Sequence, residues 1–213
     1  MSNIITVTDA YKELGKRCVL DHVHVGFEEG KISGIIGRNG SGKTILLKAI
    51  LGLLPLDKGE ISVRGKVMGK EIEFMEDVGF IVNEPGFLPY ESGRRNLRYI
   101  ASIQNTVSDR AVDEAMEKVG LNPRDRKRVG QYSMGMRQRL GIAQAIMESP
   151  SVLILDEPMN GLDNDGVGDI RVLLMKMRKE GRTILLTSHS KEDVDLLCDT
   201  VYRMDRGVLT QER

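Results

Sequence analysis

Gly37-Arg38-Asn39-Gly40-Ser41-Gly42-Lys43-Thr44 fits G-x-x-x-x-G-K-[ST], the pattern of a phosphate-binding loop. Its glycines let the backbone curl so that successive N–H groups point at one anion. Lys43 can reach the outer phosphates of a nucleoside triphosphate, and the Thr44 hydroxyl can ligate Mg²⁺. The surroundings agree. Ile32-Ser33-Gly34-Ile35-Ile36 reads as a buried strand entering the loop, and residues 44–54 read as an apolar helix leaving it. The positive N-terminal end of that helix faces the phosphates. By chance the pattern arises in about one chain of this length in a hundred. A plain glycine-rich turn is the competing reading, and the strand–loop–helix order argues against it.

The 213 residues suffice for one large α/β domain, or for a core with a subdomain. With 31 basic and 31 acidic residues, charge gives no electrostatic case for nucleic acid or an anionic surface. Cys18 and Cys198 are far apart and form no metal or redox motif, which reads as two reduced thiols in a cytosolic protein. The start, Met1-Ser2-Asn3-Ile4-Ile5-Thr6, lacks the basic-then-apolar pattern of a signal sequence. No apolar run approaches bilayer length, so any membrane role is expected to come through a partner.

Before the loop, residues 4–8 and 19–27 alternate apolar and polar as half-buried strands do. After it, Gly52 and Pro55 stop the helix, and residues 59–68 around Gly65 read as a hairpin. The opening third is thus strand-rich and antiparallel at its edge. Residues 78–82 predict another strand, broken by Asn83-Glu84-Pro85-Gly86. Then the character changes. Residues 95–103 have a helical pattern, Ser108 caps a helix carrying Val112, Ala115, Met116 and Val119, and Ser133 caps a long one carrying Leu140, Ala143, Ile146 and Met147. The basic run at 124–128 reads as a solvated loop. Residues 84–145 are read as a helical insertion in the α/β core. Beyond it, 152–155 is a short continuous apolar run, the mark of a parallel strand covered on both faces, and Thr183-Ile184-Leu185-Leu186-Thr187 reads as the next buried strand. Residues 165–180 predict a helix, Ser190 with Asp193 predicts a capping box, and 201–209 with a turn at Asp205-Arg206-Gly207 predict a closing hairpin.

The apolar strand at 152–155 ends in Asp156-Glu157. A carboxylate there can hold Mg²⁺ beside the loop. Alternation turns Glu157 away from Asp156, toward a water that attacks the γ-phosphate. His189 follows the neighbouring buried strand and is placed to touch that phosphate.

With these motifs in order, the chain resembles the ATP-binding subunits of ABC transporters over nearly its whole length. Tyr11 matches the aromatic residue that stacks on adenine, and residues 37–44 match the Walker A loop. Val78-Gly79-Phe80-Ile81-Val82-Asn83 matches the segment ending in the family's Gln. Tyr132-Ser133-Met134-Gly135-Met136 matches the signature motif, Leu155-Asp156-Glu157-Pro158 matches Walker B, Asn160-Gly161-Leu162-Asp163 matches the D-loop, and His189 matches the switch histidine. The resemblance implies a RecA-like P-loop NTPase core with an N-terminal antiparallel β subdomain and an inserted helical subdomain. It implies an ATPase using ATP and Mg²⁺, with Lys43, Glu157 and His189 catalytic, and with Thr44, Asp156 and Asn83 around the metal. The nucleotide set would be Tyr11, Gly37, Arg38, Asn39, Gly40, Ser41, Gly42, Lys43, Thr44, Ile45 and Asn83. Ser133, Gly135 and Met136 would complete the site of a second ATP-binding subunit, in a homodimer or a heterodimer. Transmembrane permease subunits would be the other partners, at the inner face of the cell membrane.

Three positions depart from the family pattern. Asn83 is one methylene shorter than the usual Gln, Met136 replaces the signature's terminal Gln, and Ile45 leaves only its backbone N–H for the α-phosphate. Finer features, the stretch from Asn83 to Pro89 and the signature, are similar to bacterial exporters of the bacitracin and lantibiotic-resistance type. A soluble non-transport ATPase of the superfamily, a small-molecule kinase and a nucleotide-gated scaffold remain as alternatives. The kinase reading leaves Ser133, Gly135 and His189 unexplained.

Overall fold

The computed structural model describes residues 2–83, 85–104 and 107–213. Glu84, where the expected helical insertion begins, lies outside the described residues.

Strands β1 (Asn3–Leu14), β2 (Arg17–Glu28), β4 (Lys58–Val63) and β5 (Lys66–Val67) form an antiparallel sheet in the order β2-β1-β4-β5. The second sheet has the order β10-β9-β3-β8-β7-β6 and is built on β3 (Ile32–Ile36), β6 (Val78–Ile81), β7 (Val152–Leu155), β8 (Thr183–Ser188), β9 (Thr200–Asp205) and β10 (Val208–Gln211). Its pairings are parallel except the β9–β10 hairpin.

The continuous apolar runs have the cause expected of them. Along β7, Val152 and Ile154 enter the core shared with the antiparallel sheet and the helix α1 (Lys43–Ile50), while Leu153 and Leu155 enter the core on the opposite face. A two-residue period thus splits one strand between two buried layers. The opposite layer is covered by α4 (Met134–Ile146), α5 (Asn164–Lys179) and α6 (Lys191–Leu197). Its apolar cluster continues into α2 (Gly93–Gln104) and α3 (Asp109–Lys118), through Leu97, Val112 and Met116. The helical stretch therefore shares the core of the sheet it packs on.

The strand expected at 4–8 runs longer, from Asn3 to Leu14, and two further features differ from expectation. The helix after the loop ends at Ile50 rather than 54, because Gly52 turns left-handed (φ +82°) and packs against the Glu73 carbonyl, leaving no room for a Cβ. At Ser190 only half of a capping box forms. The Ser190 hydroxyl accepts from Asp193 N at 3.3 Å, but the Asp193 carboxylate is taken by Arg171 of α5 at 2.5 Å. Cys18 and Cys198 are free thiols. Burial pushes the Cys198 thiol up to about 12.

Candidate functional site

The loop, the acids and the histidine all follow the carboxyl ends of adjacent parallel strands: the loop after β3, Asp156 and Glu157 after β7, and His189 after β8. Open α/β sheets bind ligands at this edge.

The loop curls tightly over its own lysine. Lys43, 6% exposed, donates to the carbonyls of Gly37 at 2.7 Å and Arg38 at 3.3 Å. A Cβ on Gly37 would lie 2.3 Å from the Met204 carbonyl oxygen, so only glycine fits there. The first i→i−4 bond of α1 runs from Leu46 N to the Gly42 carbonyl, so Lys43, Thr44 and Ile45 open the helix with N–H groups that lack intrahelical acceptors. The Ser41 hydroxyl is buried and unpaired. Gly207, in the β9–β10 turn, donates to the Ser41 carbonyl at 2.9 Å and straps the loop to the C-terminal hairpin.

The Thr44 hydroxyl donates to Asp156 Oδ2 at 2.6 Å. Glu157 has a left-handed backbone, φ +50°, which turns its side chain back over the loop. Its Oε2 pairs with His189 Nδ1 at 2.8 Å, and its Oε1, buried and without a hydrogen bond, lies 3.6 Å from Lys43 Nζ. Lys43, Glu157 and His189 therefore form one connected group. The orphaned Ser41 hydroxyl, the glycine cradle and the opened helix end fit a triphosphate. A hydroxyl beside a single carboxylate fits Mg²⁺, which takes most of its ligands from phosphates and water.

The other expected residues are placed differently. Ser133 caps α4, accepting from Met136 N at 3.1 Å. Gly135 packs against the Gly161 carbonyl, and Met134 lies over Gly161 itself, where φ is +75°. Met136 is half-buried against the core. Among the described residues no hydrogen bond or ion pair joins Ser133, Gly135 or Met136 to the loop of their own chain. Asn83 is exposed with φ +64° and lines a cleft of about 210 Å³ with Met134, Arg137, Gln138, Asp156 and Glu157. Ile45, in the first turn of α1, packs against the core shared with the antiparallel sheet. Tyr11 sits on the antiparallel sheet, its ring 5.5 Å from that of His22 and 5.4 Å from Lys58 Nζ. The Glu13 carboxylate accepts from its hydroxyl and raises its pKa.

Three contributors escape a reading of motifs. Arg17, on β2, donates to the Gly40 carbonyl at 3.0 Å and frames the loop with Arg38 and Asn39. Gln138 donates to the carbonyls of Glu157 and Pro158 at 3.2 and 3.1 Å, tying the helix after the signature to the acids. Thr187 contacts both acids. Gln138 falls in the stretch Arg137-Gln138-Arg139 that follows the signature, and no pattern marks Arg17 or Thr187.

A glycine loop between strand and helix, with an acid at a neighbouring strand end, defines the P-loop nucleoside triphosphatases. Within that class the ABC transporter profile matches residues 20–160. YybJ of Bacillus subtilis (strain 168), an ABC transporter ATP-binding protein, is 40% identical over 97% of this chain and 94% of its own length. The bacitracin transport ATP-binding protein BcrA of Bacillus licheniformis is 40% identical over 100% of this chain and 70% of its own. The lantibiotic transport ATP-binding protein SrtF of Streptococcus pyogenes is 33% identical over 99% and 90%. A dimeric ATP-binding cassette solved in a post-hydrolysis state with ADP and Pi superposes with a TM-score of 0.88 over 98% of both chains, at 20% identity. The chain belongs to the ABC transporter family as an ATP-binding subunit, and it is an ATPase. No helix among the described residues is long and apolar enough to cross a membrane.

Proposed function

We propose that this subunit is the motor of an exporter: it closes with a second ATP-binding subunit around ATP and drives separate transmembrane permease subunits from the cytoplasmic face of the membrane. The observation that carries the reading is the Glu157–His189 pair at 2.8 Å beside Lys43. It brings a carboxylate, a histidine and a cation to one strand edge, a set suited to accepting a proton from water and stabilising charge on a γ-phosphate. Bacitracin transport is named for BcrA and lantibiotic transport for SrtF, which supports a related cargo here.

In this reading the N–H groups opening α1 and the Lys43 ammonium bind the phosphates, Lys43 exchanging its loop carbonyls for phosphate oxygens. Tyr11 stacks on adenine. Thr44 and Asp156, with Asn83 beside them, would hold Mg²⁺, which would supply positive charge against the outer phosphates. Glu157 takes the proton of the attacking water, and His189, held by Glu157, contacts the γ-phosphate. Among the described residues Ser133, Gly135 and Met136 share no hydrogen bond with their own loop, which supports their completing the site of another subunit. Residues 84–145 act as the arm that carries them.

Glu157→Gln is expected to bind ATP but to turn over slower by roughly 10²-fold or more, since only the proton acceptor is altered. With ATP it should shift from monomer to dimer in light scattering, while Lys43→Ala should lose tight ATP binding. Near-normal turnover by Glu157→Gln would remove Glu157 as the base. A strictly monomeric ATP-bound form would rule out the homodimer.

A further inference from the structure

The structure assigns to Thr187 the role of positioning both acids of the site. Thr187 lies in β8, fully buried, in a strand whose neighbours Leu185 and Leu186 are apolar. Its hydroxyl donates to Asp156 Oδ1 at 2.6 Å and accepts from Glu157 N–H at 2.9 Å. The direction of these bonds is fixed: the amide can only donate, so the single hydroxyl proton goes to the carboxylate. Because Thr44 donates to Asp156 Oδ2, each oxygen of Asp156 is held by a threonine, one on α1 and one on β8. The carboxylate plane is thereby set from both sides.

The second bond matters for the backbone. The last paired residues of β7 and β8 are Leu155 and Leu186, and β8 runs on to Ser188. Asp156 N still donates to the Ile81 carbonyl on the β6 side, at 2.8 Å. Glu157 N faces β8, where it meets the Thr187 side chain instead of a main-chain carbonyl. This substitution lets β7 leave the sheet and take up the φ of +50° that brings Glu157 to His189. A left-handed torsion at a non-glycine residue persists only when its surroundings hold it. Thr187 touches neither substrate nor reacting atoms in this account; it acts through Asp156 and Glu157. The inference therefore rests on the roles proposed for those two acids.

The test compares Thr187→Val, which swaps the hydroxyl for a methyl, and the pair Thr187→Ala and Thr187→Ser, which differ by the hydroxyl alone. For Val and Ala, kcat should fall about ten- to hundredfold with the KM for ATP little changed, as small displacements of catalytic groups cost. Ser should stay close to the unsubstituted protein. The Mg²⁺ concentration for half-maximal binding of a fluorescent ATP analogue should rise for Val and Ala, and binding in EDTA should not change. Melting temperatures are read alongside. If Val cannot be purified folded, the Ala–Ser comparison decides. A kcat for Val or Ala within about twofold of the unsubstituted protein overturns the inference, as does Ser falling as far as Ala. Glu157→Gln separates the two claims: if it is inactive while Thr187→Val is unimpaired, only the role of Thr187 fails.

Discussion

Asn83 and Glu157 end adjacent strands, and both take left-handed backbones, φ +64° and +50°. Asn visits this region several-fold more often than most residues, because its short amide bonds locally. The shorter side chain at Asn83 therefore has a backbone reason beside any metal reason. The two separate by substitution. Asn83→Gly accepts the torsion without an amide, and Asn83→Gln keeps an amide on a less suited backbone. Asn83→Gly should melt no lower than the unsubstituted protein yet lose several-fold in Mg²⁺-dependent ATP turnover. Asn83→Gln should keep more turnover at a melting temperature lower by a few degrees, the effect of about 0.5–1 kcal/mol in a domain of this size. Unchanged turnover in Asn83→Gly would show that the amide serves the backbone alone. The identity of Asn83 was legible from its place after a strand. Its torsion was not, and neither was Thr187, because a threonine inside an apolar strand reads simply as a strand former. Only the cross-strand register puts its hydroxyl between the acids.

Among the elements, β1 carries Tyr11 and is pinned by one side chain. Asp57, just before β4, accepts from Lys12 Nζ and from Glu13 N, each at 2.7 Å, and its own N–H donates to the Tyr11 carbonyl at 3.0 Å. The Glu13 N–H, with the Lys12 ammonium, holds the Asp57 carboxyl below its usual range. A carboxyl depressed in the folded state contributes stability above its unfolded value, near pH ~4, and loses it as pH falls through the folded value. Acid should therefore loosen β1 at Tyr11. Asp57→Asn should melt lower at neutral pH, and the gap to the unsubstituted protein should close below about pH 4 in thermal scans. A gap independent of pH would assign the effect to the lost hydrogen bonds alone. Such clamps are not written in local pattern. The strands at 152–155 and 183–187 could be read because burial on both faces leaves consecutive apolar residues, Val152 to Leu155 and Ile184 to Leu186. Lys12–Asp57 spans 45 residues, and the Arg171–Asp193 pair that takes half of the capping box spans 22. Periodicity carries no record of either.

At the scale of the whole molecule, the surface toward a membrane partner is expected around residues 83–90, and the structure divides that loop. Phe87 packs against the core cluster that joins the helices to the sheet. Leu88 and Tyr90 are exposed, 40% and 64%, although the buried Asn96 of α2 holds the loop by accepting from Leu88 N at 2.7 Å and donating to the Leu88 carbonyl at 3.1 Å. A loop anchored from beneath by a buried amide and carrying an aromatic and an aliphatic side chain outward suits a docking surface better than a mobile connection. The aromatic content of the chain is only 4%, so an exposed tyrosine here is not composition alone. The halves of the loop should then answer differently. Phe87→Ser should lower the melting temperature, by the equivalent of about 1–3 kcal/mol, because it removes packing from the shared core. Leu88→Ser with Tyr90→Ser should leave the melting temperature and the basal ATPase of the isolated subunit near normal and weaken co-purification with the membrane subunit. Undiminished co-purification of that double variant would take these two side chains out of the interface. A fall in its melting temperature as large as that of Phe87→Ser would show that the exposed half of the loop is also structural, and would move the search for the docking surface elsewhere on the cassette.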